Sequence, residues 1–183
     1  LIEKAEAVSF KKIGDALNNL RVVEASNTKE IYKGIGNDVI LNKLKNKEIK
    51  YRGLLIGLLS FTRVDSDLSR ILLDEIPEDT LLNWRALKRI DLLNMLLFIF
   101  FEADLKTSEA RYKRLLHYGF SHREHYLRSN NLRDLGNYIG YMAESSSQWQ
   151  NIINTNLGRF KGKILYTKEK KNIAGFIGNI HRV

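Results

Sequence analysis

Arg111-Tyr112-Lys113-Arg114-Leu115-Leu116-His117 pairs an arginine with a histidine six residues on. Those two side-chain types suit acid–base chemistry: a histidine moves a proton and an arginine neutralises developing negative charge. His122 and His125 follow closely, with Glu124 between them. If Ser121 opens a helix as the first residue of an S-x-x-E capping box, positions 122 and 125 share a face and could ligate one ion. Their H-x-E-H spacing matches neither H-E-x-x-H nor H-x-x-E-H, so these histidines are read as polar residues beside a basic surface, with no metal site. Asp65-Ser66-Asp67 offers two carboxylates suited to Mg²⁺, but it stands just before a helical pattern, where capping accounts for both acids. The lone G-x-G at Gly34 and Gly36 lacks the third glycine and the strand–turn–helix setting of a dinucleotide site. No G-x-S-x-G or P-loop stands in the chain, and no cofactor is expected.

The second candidate site lies near the C-terminus. Leu157-Gly158-Arg159-Phe160-Lys161-Gly162-Lys163-Ile164-Leu165-Tyr166 alternates with period two, with Arg159, Lys161 and Lys163 on one side and Phe160, Ile164 and Tyr166 on the other. Thr167 to Asn172 reads as a turn into Ile173 to Ile177, predicting an antiparallel β-hairpin with one basic face. Two strands alone are marginal, so the hairpin would belong to a small sheet or lie on the helical body. Trp149 and Phe176 offer aromatic faces among Arg159, Lys161, Lys163, Lys168, Lys170 and Lys171, a composition that suits stacked bases and neutralised phosphates. Phe160 and Tyr166, on the apolar side, are assigned to the core. A positively charged methylated guanine could be sandwiched by two such rings, with Glu144 or Glu169 accepting from its edge.

Charge supports an RNA partner. Residues 1–104 hold 16 Lys+Arg and 16 Asp+Glu, whereas residues 105–183 hold 14 and 5, so the later part carries the whole net charge of +9. A basic segment joined to a neutral one is the electrostatic footprint of a polyanion-binding surface. Zero cysteines exclude thiolate zinc sites, cysteine nucleophiles and disulfides, and are compatible with the cytoplasm or another reducing intracellular compartment. Leu1 is followed at once by Glu3, Lys4 and Glu6, without the apolar run of a signal peptide, and the missing initiator methionine points to a piece of a longer polypeptide.

The elements that must position these residues are mainly helical. Trp84 to Phe101 is the most apolar stretch, and Leu81, Trp84, Leu87, Ile90, Leu93, Leu97 and Phe100 recur at spacings of three and four. With Pro77 in its first turn, one long core helix is predicted to run to Phe101. The ten residues at its end, Leu92 to Phe101, are interrupted by Asn94 and fall short of the ~20 apolar residues that a membrane span requires. Further helices are predicted over residues 1–25, 51–64, 68–76 and 132–143, with a short one from Asp38 and another from Thr107 or Ser108 that Gly119 ends in the left-handed conformation. Glu30 to Ile35 reads as a short strand, and Ser145 to Ser147 as a linker between a helical domain, 1–144, and the basic hairpin, 145–183. The expected fold class is mainly α: a helical bundle with a small C-terminal antiparallel β-hairpin.

Two resemblances attach to these residues. The spacing of Arg111 and His117 resembles the HEPN ribonucleases, which implies metal-independent RNA cleavage by those two side chains, although Tyr112 replaces the polar residue usual after the arginine. Gln148-Trp149 leading into Leu157–Tyr166 and a second strand resembles the C-terminal region of the L polymerases of segmented negative-strand RNA viruses. That resemblance implies a small cap-binding β-domain after helical thumb and lid elements, within an RNA-directed RNA polymerase whose catalytic carboxylates lie elsewhere. The leading expectation is thus an RNA- or cap-binding viral domain. A ribonuclease, or a structural helical module docking an acidic partner, is the alternative.

Overall fold

The computed structural model describes residues 10–23, 37–44, 49–103, 110–144, 148–168 and 170–180. It contains α1 (Phe10–Val23), α2 (Asn37–Leu44), α3 (Tyr51–Val64), α4 (Ser66–Glu75), α5 (Glu78–Leu81), α6 (Trp84–Leu87) and α7 (Ile90–Glu102). These are followed by α8 (Ala110–Ser121), α9 (Arg123–Tyr126), α10 (Leu132–Ala143), α11 (Trp149–Tyr166) and α12 (Lys170–Ile180). The mainly helical expectation holds, but no β-strand occurs among the described residues, so the predicted hairpin is overturned. The strand expected at Glu30–Ile35, the helix start at Thr107 or Ser108 and the linker at Ser145–Ser147 lie outside the described residues.

The chain divides into two compact units: residues 1–87 with 95–112, and residues 88–94 with 113–183. In the first, α1 packs along α3 where small residues let the backbones approach. A Cβ placed on Gly14 would stand 3.0 Å from the carbonyl oxygen of Gly57 and 3.1 Å from Cβ of Ser60. Leu54, Leu55, Leu58 and Phe61 supply the buried side of α3, joined by Ile13, Ile40, Leu72 and Leu73. Buried hydroxyls are paired rather than left bare: Ser69 Oγ donates to Thr62 Oγ1 (2.7 Å), and Thr62 donates to the Leu58 carbonyl (2.7 Å). Asp65 separates α3 from α4, and its Oδ1 accepts from the Asp67 N–H (2.9 Å), the capping role expected of it.

The long helix predicted from Pro77 to Phe101 is broken into three. Pro77 stands just before α5, and Asn83 restarts the chain as α6 by accepting from the Ala86 N–H through Oδ1 (3.1 Å). An asparagine that offers the backbone a local acceptor competes with helix continuation, which periodicity alone cannot register. Lys88 and Arg89 then turn into α7. No helix among the described residues is long and apolar enough to cross a membrane.

In the second unit α10 is the central element, with α11 and α12 packed on it. Asn131 caps α10 reciprocally: its Oδ1 accepts from the Asp134 N–H (3.2 Å) while its Nδ2 donates to Asp134 Oδ2 (2.7 Å). Gly136 allows α12 to approach, since a Cβ there would lie 2.9 Å from Cα of Phe176. Asn179 Nδ2 donates to Asn137 Oδ1 (3.1 Å) along the same seam. Two local expectations fail here. Gly119 lies inside α8, which runs on to Ser121, and it faces Met142 and Tyr138 rather than terminating the helix. Ser121 is the last residue of α8, and His122 precedes α9 without a side-chain cap, so the capping box is not formed.

Candidate nucleic-acid interface

Trp149 opens α11 fully buried, meeting Tyr138 edge-on (centroids 5.5 Å) and Phe120 likewise (6.2 Å). Phe176 is 1% exposed and packs edge-to-face on Phe160 at 5.4 Å, joining α12 to α11. Neither ring has a face open to a base, so the stacking roles expected of Trp149 and Phe176 are withdrawn. The physical reason is the period. At about 100° per residue, Trp149, Ile153 and Phe160 fall on one side of a helix and form its buried stripe, with Phe176 answering from α12. Around them Tyr138 donates its hydroxyl to the Gly119 carbonyl (2.8 Å), and burial pushes the phenols of Tyr126 and Tyr138 strongly upward. These rings are core.

Helix formation also redistributes the cations that alternation had put on one face. On α11, Arg159 and Lys163 stand about 40° apart, while Lys161 lies roughly 160° from Arg159, beside exposed Leu157 and Leu165. Lys163 is committed to structure. Its Nζ donates to the carbonyls of Arg128 (3.0 Å) and Ser129 and to Asn130 Oδ1 (3.1 Å), holding the turn that leads into α10. Partial burial, with Arg159 nearby, lowers the pKa of that amine. Arg159, Lys161, Lys168, Lys170 and Lys171 are exposed and form no ion pair among the described residues.

Three of these cations, Lys168, Lys170 and Lys171, gather at the turn between α11 and α12. Lys170 and Lys171 occupy the first turn of α12, whose described part carries no acid. Cations are disfavoured there because the exposed N–H groups give that end a partial positive charge. A bound anion would relieve both lysines and the helix end together. Glu169, the one acid in the run, lies outside the described residues; Glu144 is exposed at the C-terminal end of α10.

Tyr166 was assigned to the core and is the most exposed of the large apolar side chains, at 90%. The signal was available in a helical period, because Tyr166 lies about 120° around α11 from the middle of the Trp149–Ile153–Phe160 stripe.

Arg111 and His117 are not brought together within the chain. Arg111 is largely buried and donates Nη1 to the Leu73 carbonyl (2.6 Å) and Nη2 to Asp74 Oδ1 (3.0 Å), tying α8 to α4. His117, exposed, stands six residues on in the same helix, about 120° around and ~9 Å along its axis. His122 Nδ1 lies 3.0 Å from the Tyr118 carbonyl and His125 Nε2 lies 2.9 Å from that of Lys88, so the two rings are held by different carbonyls. No cluster of three or more His, Asp or Glu capable of holding a metal occurs among the described residues.

Comparison with protein-family models, with curated proteins and with solved structures gives no match.

Proposed function

We propose that the α11–α12 hairpin binds RNA through its phosphates, with Arg159, Lys168, Lys170 and Lys171 as the contacting cations and Lys161 on the far flank. The observation that carries this is the gathering of exposed lysines, without a carboxylate partner among the described residues, at the inter-helix turn and the first turn of α12. Charge spent in that way costs the helix stability, and a polyanion reverses the cost. The excess of 14 Lys+Arg over 5 Asp+Glu in residues 105–183 supplies the longer-range attraction. Cap recognition by an aromatic sandwich does not enter this reading, because Trp149 and Phe176 are core residues. RNA cleavage does not enter it either, because the Arg111 guanidinium is engaged by Leu73 and Asp74.

The test is fluorescence polarisation of a labelled RNA across a salt series. Four phosphate contacts on a single strand give a log–log slope of about −3, and Lys170→Glu with Lys171→Glu removes most of the affinity. A flat salt dependence, or binding indifferent to the double substitution, would sink the proposal and favour a protein partner.

A further inference from the structure

Phosphate contacts alone favour the duplex, whose charge density is higher and whose counterion release per contact is larger. α11 carries a feature that phosphates do not explain. Tyr166 leaves its ring 90% exposed at the end of the helix, immediately before the turn that bears Lys168. Arg159 lies seven residues earlier, within about 20° around the axis and ~10.5 Å along it. Helical side chains lean toward the N-terminus, and position 162 lies one turn back from Tyr166, about 40° around the axis. That position is glycine, and a Cβ built there would meet nothing within 4 Å. The ring is therefore open to solvent on that side, with Arg159 before it along the chain and Lys168, Lys170 and Lys171 after it.

We infer that Tyr166 is a stacking platform for an unpaired base, and that the hairpin therefore selects single-stranded over duplex RNA; this rests on the RNA-binding reading above. A paired base already has both faces covered by its neighbours and has none to offer the tyrosine. An unpaired base can lie on the ring while its flanking phosphates reach Arg159 on one side and Lys168, Lys170 and Lys171 on the other. Stacking of this kind tolerates any base, so no sequence preference is expected.

The experiment compares the intact chain with Tyr166→Ala, Tyr166→Phe and the Lys170→Glu/Lys171→Glu double variant, against a labelled single strand and a duplex of the same sequence. The inference expects the single strand to bind more tightly. Tyr166→Ala should weaken single-strand binding roughly tenfold or more and leave the duplex unchanged, while Tyr166→Phe keeps the wild-type preference. Circular dichroism should be unaltered, since the ring is exposed. Equal or tighter duplex binding, or a silent Tyr166→Ala, would overturn the stacking role. The RNA reading would survive that result if the double lysine variant abolished binding. Failure of the wild-type chain to bind either RNA would overturn both. Sedimentation with phosphatidylserine vesicles but not with RNA, lost in Leu165→Asp, would do the same and would make Leu157, Leu165 and Ile177 a lipid-facing surface instead.

Discussion

α7 and α11 are both regular helices, yet they commit their surfaces differently. Seven of the thirteen residues of α7 are buried: Leu92, Leu93, Asn94, Leu96, Leu97, Ile99 and Phe100. Only Trp149, Ile153 and Phe160 are buried among the eighteen of α11. In α7, packing has determined nearly every residue, and even the polar Asn94 is recruited, donating Nδ2 to the Asp134 carbonyl (2.7 Å). In α11 a narrow stripe, with Lys163 beside it, holds the helix down and much of its circumference is left exposed. Residues chosen without packing constraint are where an interaction surface can be written, and here they include Arg159, Lys161 and Tyr166.

The largest effect that would break this contrast sits at the first residue of the stripe that anchors α11. Trp149→Ala removes a fully buried indole and should cost about 3–5 kcal/mol in chemical denaturation. Arg159→Ala on the same helix should fall within about 0.5 kcal/mol of wild type. Trp149→Phe sharpens the point. The indole N–H has no acceptor among the described residues, so the substitution loses ring volume but also relieves a buried unpaired donor worth ~1–3 kcal/mol. A net change far smaller than that of the alanine variant is expected. If Trp149→Ala were as mild as Arg159→Ala, α11 would not be anchored through this stripe.

Next in size is Gly136→Ala, at the seam of α10 and α12. The added methyl would stand 2.9 Å from backbone Cα of Phe176, an atom that cannot rotate away, so α12 must shift at a cost of about 1–3 kcal/mol. A thermal melt that showed no loss would mean that α12 is not seated on α10 in this way.

The helical parts legible from the sequence were those with redundant signals. The α3 segment is a long apolar run whose Gly53 and Gly57 are spaced by four, and the paired asparagines 130 and 131 stand just before α10. The C-terminal segment failed for a specific reason. From Arg159 to Lys163 the charges alternate with the apolar or small residues, and over so short a run that pattern satisfies a strand as well as the exposed side of a helix. The deciding information was three turns long, in Trp149, Ile153 and Phe160. Once the period was wrong, buried and exposed aromatics were exchanged: Trp149 and Phe176 were offered to the ligand and Tyr166 to the core. The exposed cations survived the error, because a lysine at a turn is solvated in either fold. Arg111 shows the opposite limit, since nothing in its neighbourhood of sequence announces Leu73 and Asp74 as its partners.

A smaller effect tests the cap that starts α10. Asn131→Ala removes the acceptor of the Asp134 N–H and should cost about 1 kcal/mol. It also removes a donor to the Asp134 carboxylate, whose pKa is already raised, chiefly by burial and then by the charge of Asp91. A folded carboxyl with a raised pKa takes its proton before the unfolded one does. Its contribution therefore grows more favourable as pH falls from neutral through the folded pKa, and levels off below the unfolded value. Asn131→Ala should raise the folded pKa further, and Asp91→Asn should lower it, both read from the side-chain carboxyl carbon in an NMR titration. A carboxyl that titrates identically in wild type and both variants would remove Asp91 and Asn131 from its surroundings.

The smallest effect has the opposite sign and bears most directly on the contrast between the two helices. Gly158 and Gly162 interrupt α11 where a Cβ would touch nothing, so packing does not require either glycine. Alanine at each should stabilise the chain by about 0.5–1 kcal/mol through helix propensity alone. Both variants should melt higher than wild type, whatever the helix is for. Binding separates them. Gly162 lies one turn before Tyr166 and about 40° around the axis, where a methyl meets no atom of the free chain within 4 Å but would stand on the side from which a base reaches the ring; Gly158 lies two turns before it and about 80° away around the axis. Gly162→Ala should therefore raise stability and weaken single-stranded RNA binding, while Gly158→Ala raises stability and leaves binding unchanged. Two glycines with the same thermodynamic cost and different effects on RNA would show that α11 gives up helix stability at position 162 to keep a ring face open. Identical binding by the two variants would leave both glycines as unused slack in a lightly packed helix.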